Sequence, residues 1–151
     1  IELPIAEDPR GLIACLSGAI AGAKVRTGGI ESEMYPSSQT LSRFIHSCAI
    51  AGQSFKATAG MHHPCQHQND SVGVLEFGFL SVLHATAAAS VGNASVEEVE
   101  QILNAPTPDF SDFTELQLEQ VRAELFNSLG TCSFDDPRED LRSMGLLKDS
   151  T

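Results

Sequence analysis

Cations are scarce in this sequence. Nine Lys plus Arg stand against twenty Asp plus Glu, a formal net charge of -11. That balance repels phosphate backbones and anionic membrane surfaces, whose binding depends on cationic contacts, and so argues against nucleic acid or membrane partners. Long apolar runs are missing too. No stretch reaches the ~18 uncharged residues of a membrane span, and the longest are broken by Lys24, Glu76 and His84. No basic N-terminal region precedes an apolar core, so no signal peptide is expected. The four cysteines (Cys15, Cys48, Cys65 and Cys132) form no CxxC pair and no disulfide-rich spacing. They read as reduced, mostly buried thiols of a cytoplasmic protein. No internal repeat argues for a solenoid.

What is present suits one ordinary domain. A chain of 151 residues, 42% hydrophobic and 19% charged, can build a core without a disulfide, metal or cofactor. We read residues 1–151 as a single α/β domain.

Short extended runs alternate with amphipathic helices. Residues 1–5 form a strand-like run. Asp8-Pro9 offers a helix start, with Leu12, Ile13, Leu16 and Ile20 at helical spacing and Gly22 as the stop. Residues 23–27 read as a second strand. Ser37 caps a helix carrying Leu41, Phe44, Ile45 and Cys48 toward Gly52, and residues 55–59 form a third strand. A largely apolar helix is expected over about 74–91. Ser95 with Glu98 forms a capping box, and Thr114 with Gln117 starts a further helix that bears Leu118, Val121, Leu125 and Phe126. Residues 131–134 complete a fourth strand, and a last helix turns Leu141 and Met144 inward.

Four strands, each followed by a helix, imply right-handed crossovers and a parallel sheet. The strands are barely apolar and carry Lys, Arg and Thr, which suits a barrel mouth better than a doubly covered sheet. A complete barrel needs ~250 residues, so the expectation is half of a (β/α)8 barrel, with the 95–129 helices inserted between the third and fourth strands. Its exposed inner face argues for a homodimer.

Three segments carry candidate chemistry. In Ala23-Lys24-Val25-Arg26-Thr27-Gly28-Gly29, strand alternation puts Lys24 and Arg26 on one face ahead of a glycine turn, a seat for phosphate or carboxylate. An edge strand with solvated charges fits equally. In the 55–64 segment, Lys56 and Thr58 share a face, and Lys56 is either a desolvated Schiff-base lysine or half of a structural ion pair. His62 and His63 follow as general acid/base candidates. His62, His63, Cys65 and His67 are potential metal ligands, but no second cluster completes a site, so no metal is assigned. Cys132 stands before a helix N-terminus and reads as packing, while His46 and His84 read as structural or surface residues.

The segments AKVRTGG, FKATAGMHHP, FGFL and LGTCSFDDPREDLRSMGLL together resemble a family of bacterial β/α-barrel-like proteins without an assigned reaction. Its motifs run K-x-R-T-G-G, F-K-A-T-A-G-L-H-H-P, H-G-F-L-N and G-S-C-S-F-x-E-P in the same order. The resemblance spans nearly all of this chain and the C-terminal half of the longer family members. It singles out Lys24, Arg26, Gly28, Gly29, Lys56, Thr58, Gly60, His62, His63 and Cys132. Met61 stands for a Leu of the family, Glu76 for its His and Ser81 for its Asn. A weaker likeness is to deoxyribose-phosphate aldolases, whose lysine motifs come in the opposite order.

These readings converge on a small anionic metabolite. As an enzyme, the protein would be a lyase or aldolase-like catalyst of a phosphorylated carbonyl compound. Lys56, His62 and His63 would act on the substrate, and Glu2 would orient a cation. Lys24, Arg26, Thr27, Gly28, Gly29 and Thr58 would hold the anion. The alternative is a non-catalytic, self-associating half-barrel remnant that keeps only the anion site.

Overall fold

Alternation along the strands decides the architecture. In the computed structural model, which describes residues 1–17, 19 and 21–148, three short parallel strands form a sheet in the order β1-β2-β5. They are β1 (Ala23–Arg26), β2 (Phe55–Thr58) and β5 (Phe126–Gly130), and β3 (His67–Asn69) with β4 (Val74–Glu76) makes a separate antiparallel hairpin. Ala23, Val25, Phe55, Ala57 and Phe126 enter the core, which leaves Lys24, Arg26, Lys56 and Thr58 on the opposite face.

All the helices that build the core lie on the apolar side. They are α1 (Arg10–Leu16), α2 (Ser38–Ala51), α3 (Phe79–Ser90) and α4 (Val96–Asn104), with α5 (Glu115–Glu124) packed on α3 and β5. The last helix, α6 (Asp135–Ser143), buries no residue. Phe55 is the hub of the core: its ring meets Phe44 edge-on and stacks on Phe126, both at 5.3 Å between centroids.

Local signals account for the helix ends. The Ser37 hydroxyl caps α2, Gly52 closes it at φ 60°, and full capping boxes at Ser95–Glu98 and Thr114–Gln117 start α4 and α5. Helix α1 begins one residue later than expected, with Pro9 as the capping residue and the Asp8 carboxylate accepting from the Arg10 amide at 3.1 Å. Ile20, assigned to this helix on spacing, lies outside the described residues.

The half-barrel is not what forms. The sheet has three parallel strands rather than four, and the 1–5 segment contributes only an isolated parallel bridge between Glu2 and Lys24. The strand expected at 131–134 lies at 126–130 instead. Leu118, Val121 and Leu125 kept helical spacing up to the strand, and Asn127, Ser128 and Gly130 carry little β preference to mark it. The helix expected over 74–91 begins at Phe79, because Val74-Leu75-Glu76 pairs back on His67–Asn69 and Gly78 separates strand from helix. Met144, expected inward, is exposed.

Parallel sheets are usually covered on both faces, and this one is covered on one. The 95–129 helices pack with α2, α3 and β5 on the apolar side and leave the other face open. That open face is polar. The case for a homodimer made from exposed apolar strands therefore loses its premise.

Truncating the aromatic hub tests this picture. Phe55→Ala is expected to cost about 3–5 kcal/mol, seen as a lower urea midpoint with an unchanged denaturant slope.

Candidate functional site

The carboxyl ends of parallel strands are where α/β sheets bind ligands. Here they bring together the 26–29 turn, the 58–63 loop and the 130–133 segment. Register places Lys24 level with Lys56 and Ser128, and Arg26 level with Thr58 and Gly130.

Backbone approach shapes this end of the sheet. A Cβ on Gly28 would stand 2.8 Å from the Gly60 backbone, and one on Gly60 would stand 2.8 Å from the Thr27 carbonyl oxygen. The two turns touch main chain to main chain. Ala59 and Gly60 both sit at positive φ, 64° and 70°. The Thr27 hydroxyl holds this bend by donating to the Ala59 carbonyl at 2.6 Å.

Several expected anion ligands are therefore committed elsewhere. Thr27 is fully buried with its hydroxyl bound to carbonyl oxygens of the neighbouring strand. Thr58 donates to the Val25 carbonyl at 3.2 Å. Gly28 makes room for Gly60, and Gly29 makes room for the Met34 side chain while its carbonyl accepts from the Tyr35 hydroxyl at 3.0 Å. These residues shape the site and leave ligand contact to the charged side chains.

Those charges lie on the open face. Lys24 Nζ is 2.6 Å from one oxygen of Glu2, and Arg26 Nε is 3.3 Å from the other. The hydrogen bond from Lys24 is the main cause that holds the Glu2 carboxyl below its ordinary value, with Arg26 adding to it against the effect of burial. Lys56 is exposed and, among the described residues, has no acidic partner. The desolvation expected of a Schiff-base lysine is absent there.

The two histidines stand at the rim, each oriented. His63 Nδ1 lies 2.6 Å from Asp140 of α6, and its ring stacks on His67 at 3.7 Å. His62 Nδ1 lies 2.8 Å from the Thr131 hydroxyl. Thr131 donates its only proton to the Ser133 carbonyl at 2.9 Å and accepts from the Ser133 amide. By that accounting His62 is the donor at Nδ1, and in its neutral form Nε2 is left as a base. Cys132 Sγ stands 3.7 Å from Nδ1 and 3.8 Å from Nε2 of the same ring.

No family model, no curated protein and no solved structure matches this chain. The functional argument therefore rests on the residues themselves.

Cys132, expected to pack, is instead exposed and set against His62. Cys15 is also exposed, so the thiols are not mostly buried; Cys48 alone is, and burial pushes it up to about 12. Sequence reasoning passed over Thr131 and Asp140, which no local pattern connects to the histidines seventy or so positions earlier. It also missed a buried network in which Glu76 accepts from Tyr35 and Asn69, both at 2.8 Å. Burial, then the Glu76 contact, pushes the Tyr35 hydroxyl up. One carboxylate inside the apolar run Val74-Leu75-Glu76-Phe77 was the available signal. Counted back from Gly78, the family's His falls on Phe77 rather than Glu76, so Glu76 does not replace it.

Among the described residues no group of three or more His, Cys, Asp or Glu is placed to hold a metal. No described helix is long and apolar enough to cross a membrane. A cavity of about 580 Å³ does exist, between α1, α2 and the start of α4, but it is lined by Asp8, Arg10, Arg43, His46, Ile50 and Glu97 and shares no residue with this site. We place the site on the charged face because charge-assisted hydrogen bonds need cations within reach more than they need enclosure.

The Glu2 bridge is directly measurable. In a carbon-detected NMR titration, Glu2 should titrate below its ordinary 4.5. Lys24→Ala should return it toward that value. Because the folded value is lowered, the bridge should hold at neutral pH and be lost as pH falls through that lowered value.

Proposed function

We propose that the protein binds a small phosphorylated or carboxylated metabolite on the open face of its parallel sheet. The observation that carries this reading is an excess of cations on one uncovered face. Lys24, Arg26 and Lys56 stand in neighbouring register positions with Glu2 as the paired carboxylate, in a chain whose overall charge is -11. A local patch of opposite sign in an acidic protein concentrates anions that the rest of the surface repels. Glu2 holds Lys24 and Arg26 in place when no ligand is bound, and an anion would compete with it for them. Lys56, without such a competitor, supplies the first contact.

A second reading, a lyase or aldolase-like reaction on the same ligand, draws support from the two oriented imidazoles at the strand ends. His62 and His63 are placed for proton transfer by Thr131 and Asp140. In this reading the exposed Lys56 acts as an electrostatic group rather than as a Schiff-base lysine, so borohydride is expected to trap no adduct on it.

Calorimetric titration with inorganic phosphate and with glyceraldehyde 3-phosphate tests the binding reading. Lys56→Ala is expected to weaken binding by about 1–3 kcal/mol, the scale of a charge-assisted hydrogen bond. Glu2→Gln is expected to strengthen it, since the competing carboxylate is gone. Wild-type protein with no measurable heat for either ligand would reject the proposal.

A further inference from the structure

The contact between His62 and Cys132 goes beyond anion binding. Cys132 is exposed, follows β5 by two residues, and precedes α6. His62 is half-buried, and its Nδ1 proton is committed to Thr131, whose own proton goes to Ser133. The ring is thereby fixed in the tautomer that leaves Nε2 free to accept, which is what a base beside a thiol requires. The sulfur stands nearly equidistant from the two ring nitrogens, at 3.7 and 3.8 Å, so it does not yet lie along the Nε2 lone pair. A small rotation of the exposed Cys132 side chain aligns them, and such contacts commonly tighten only when substrate binds.

The second observation is register. Arg26, Thr58 and Gly130 stand level across the sheet, so Cys132 lies two residues beyond the level of Arg26. Two residues span at most about 7 Å along the strand, and β5 stands two strands, about 9–10 Å, across the sheet from β1. At the backbone the anion seat and the thiol are therefore further apart than one three-carbon chain, and a phosphorylated aldehyde meets both only through the reach of the cationic side chains.

We propose that Cys132 and His62 form a nucleophilic pair that captures the carbonyl carbon of a small phosphorylated aldehyde as a hemithioacetal. The ligand's position rests on the anion-binding reading above, while the reactivity of the pair does not. The thiol proton passes to Nε2 of His62, and the sulfur forms a bond to the aldehyde carbon. The carbonyl π pair moves onto oxygen, and the imidazolium returns the proton to that oxygen. Nothing is oxidised or reduced and no group leaves, so the step is reversible and needs no co-reactant. Thr131 acts as a positioning residue through His62.

Cys15, the other exposed thiol, is an internal reference. Peptide-resolved alkylation with iodoacetamide at pH 7 should modify Cys132 about tenfold or more faster than Cys15, and His62→Gln should remove the difference. If that variant does not fold, Thr131→Val, which releases the ring, serves in its place. Equal rates at the two thiols, or a Cys132 rate untouched by the variant, would overturn the pair. Glyceraldehyde 3-phosphate should protect Cys132 at lower concentration than uncharged glyceraldehyde, and Lys56→Ala should erase that preference. Equal protection by both aldehydes would uphold the thiol pair and reject the anion seat. Rapid alkylation with protection by neither would overturn carbonyl capture.

Discussion

The approach of two turns, main chain to main chain, governs the working end of this molecule. Gly28 and Gly60 come so close that neither tolerates a side chain, and the Thr27 hydroxyl locks the bend by bonding the Ala59 carbonyl. The loop that carries His62 and His63 leaves β2 through that contact. Because the chain leaves Gly60 at positive φ, His62 is turned toward Thr131 and Cys132, while His63 meets Asp140. Residues that look like ligand contacts in the sequence are here spent on building the rim. An interior polar group that is already fully hydrogen-bonded has little left to offer a ligand.

The sheet has one dry face and one wet face, and the division follows from side-chain alternation. Phe55, Ala57, Val25 and Phe126 bury against the helices, so their neighbours Lys24, Arg26 and Lys56 turn to the open face, the first two against Glu2 and the third to water. A parallel sheet of this kind avoids the usual second layer because its outer residues are charged and lose nothing by staying hydrated. The same arrangement makes the face a place where an anion finds cations with their charge only partly balanced. Glu2 reaches both Lys24 and Arg26 from an isolated bridge beside β1, and so sets the resting charge of the patch.

Much was written in the local sequence. Capping residues marked α2, α4 and α5, strand alternation separated Lys24 and Arg26 from Val25, and the 23–27 and 55–59 runs coincide with β1 and β2 to within a residue at the C-terminal end. These are short-range properties: a cap needs three residues and a strand's two faces need only their period. Tertiary structure alone decided the rest. Pairing chose 126–130 over 131–134 for the last strand, because Phe126 could stack on Phe55, and a weakly β-forming segment goes where its one large apolar side chain is buried. The hairpin of His67–Asn69 with Val74–Glu76 exists through cross-strand hydrogen bonds that no single run announces. The neighbours of His62 and His63 come from about seventy residues further on, brought there by the crossover from β2 to β5, and spacing along the chain carries no record of that distance.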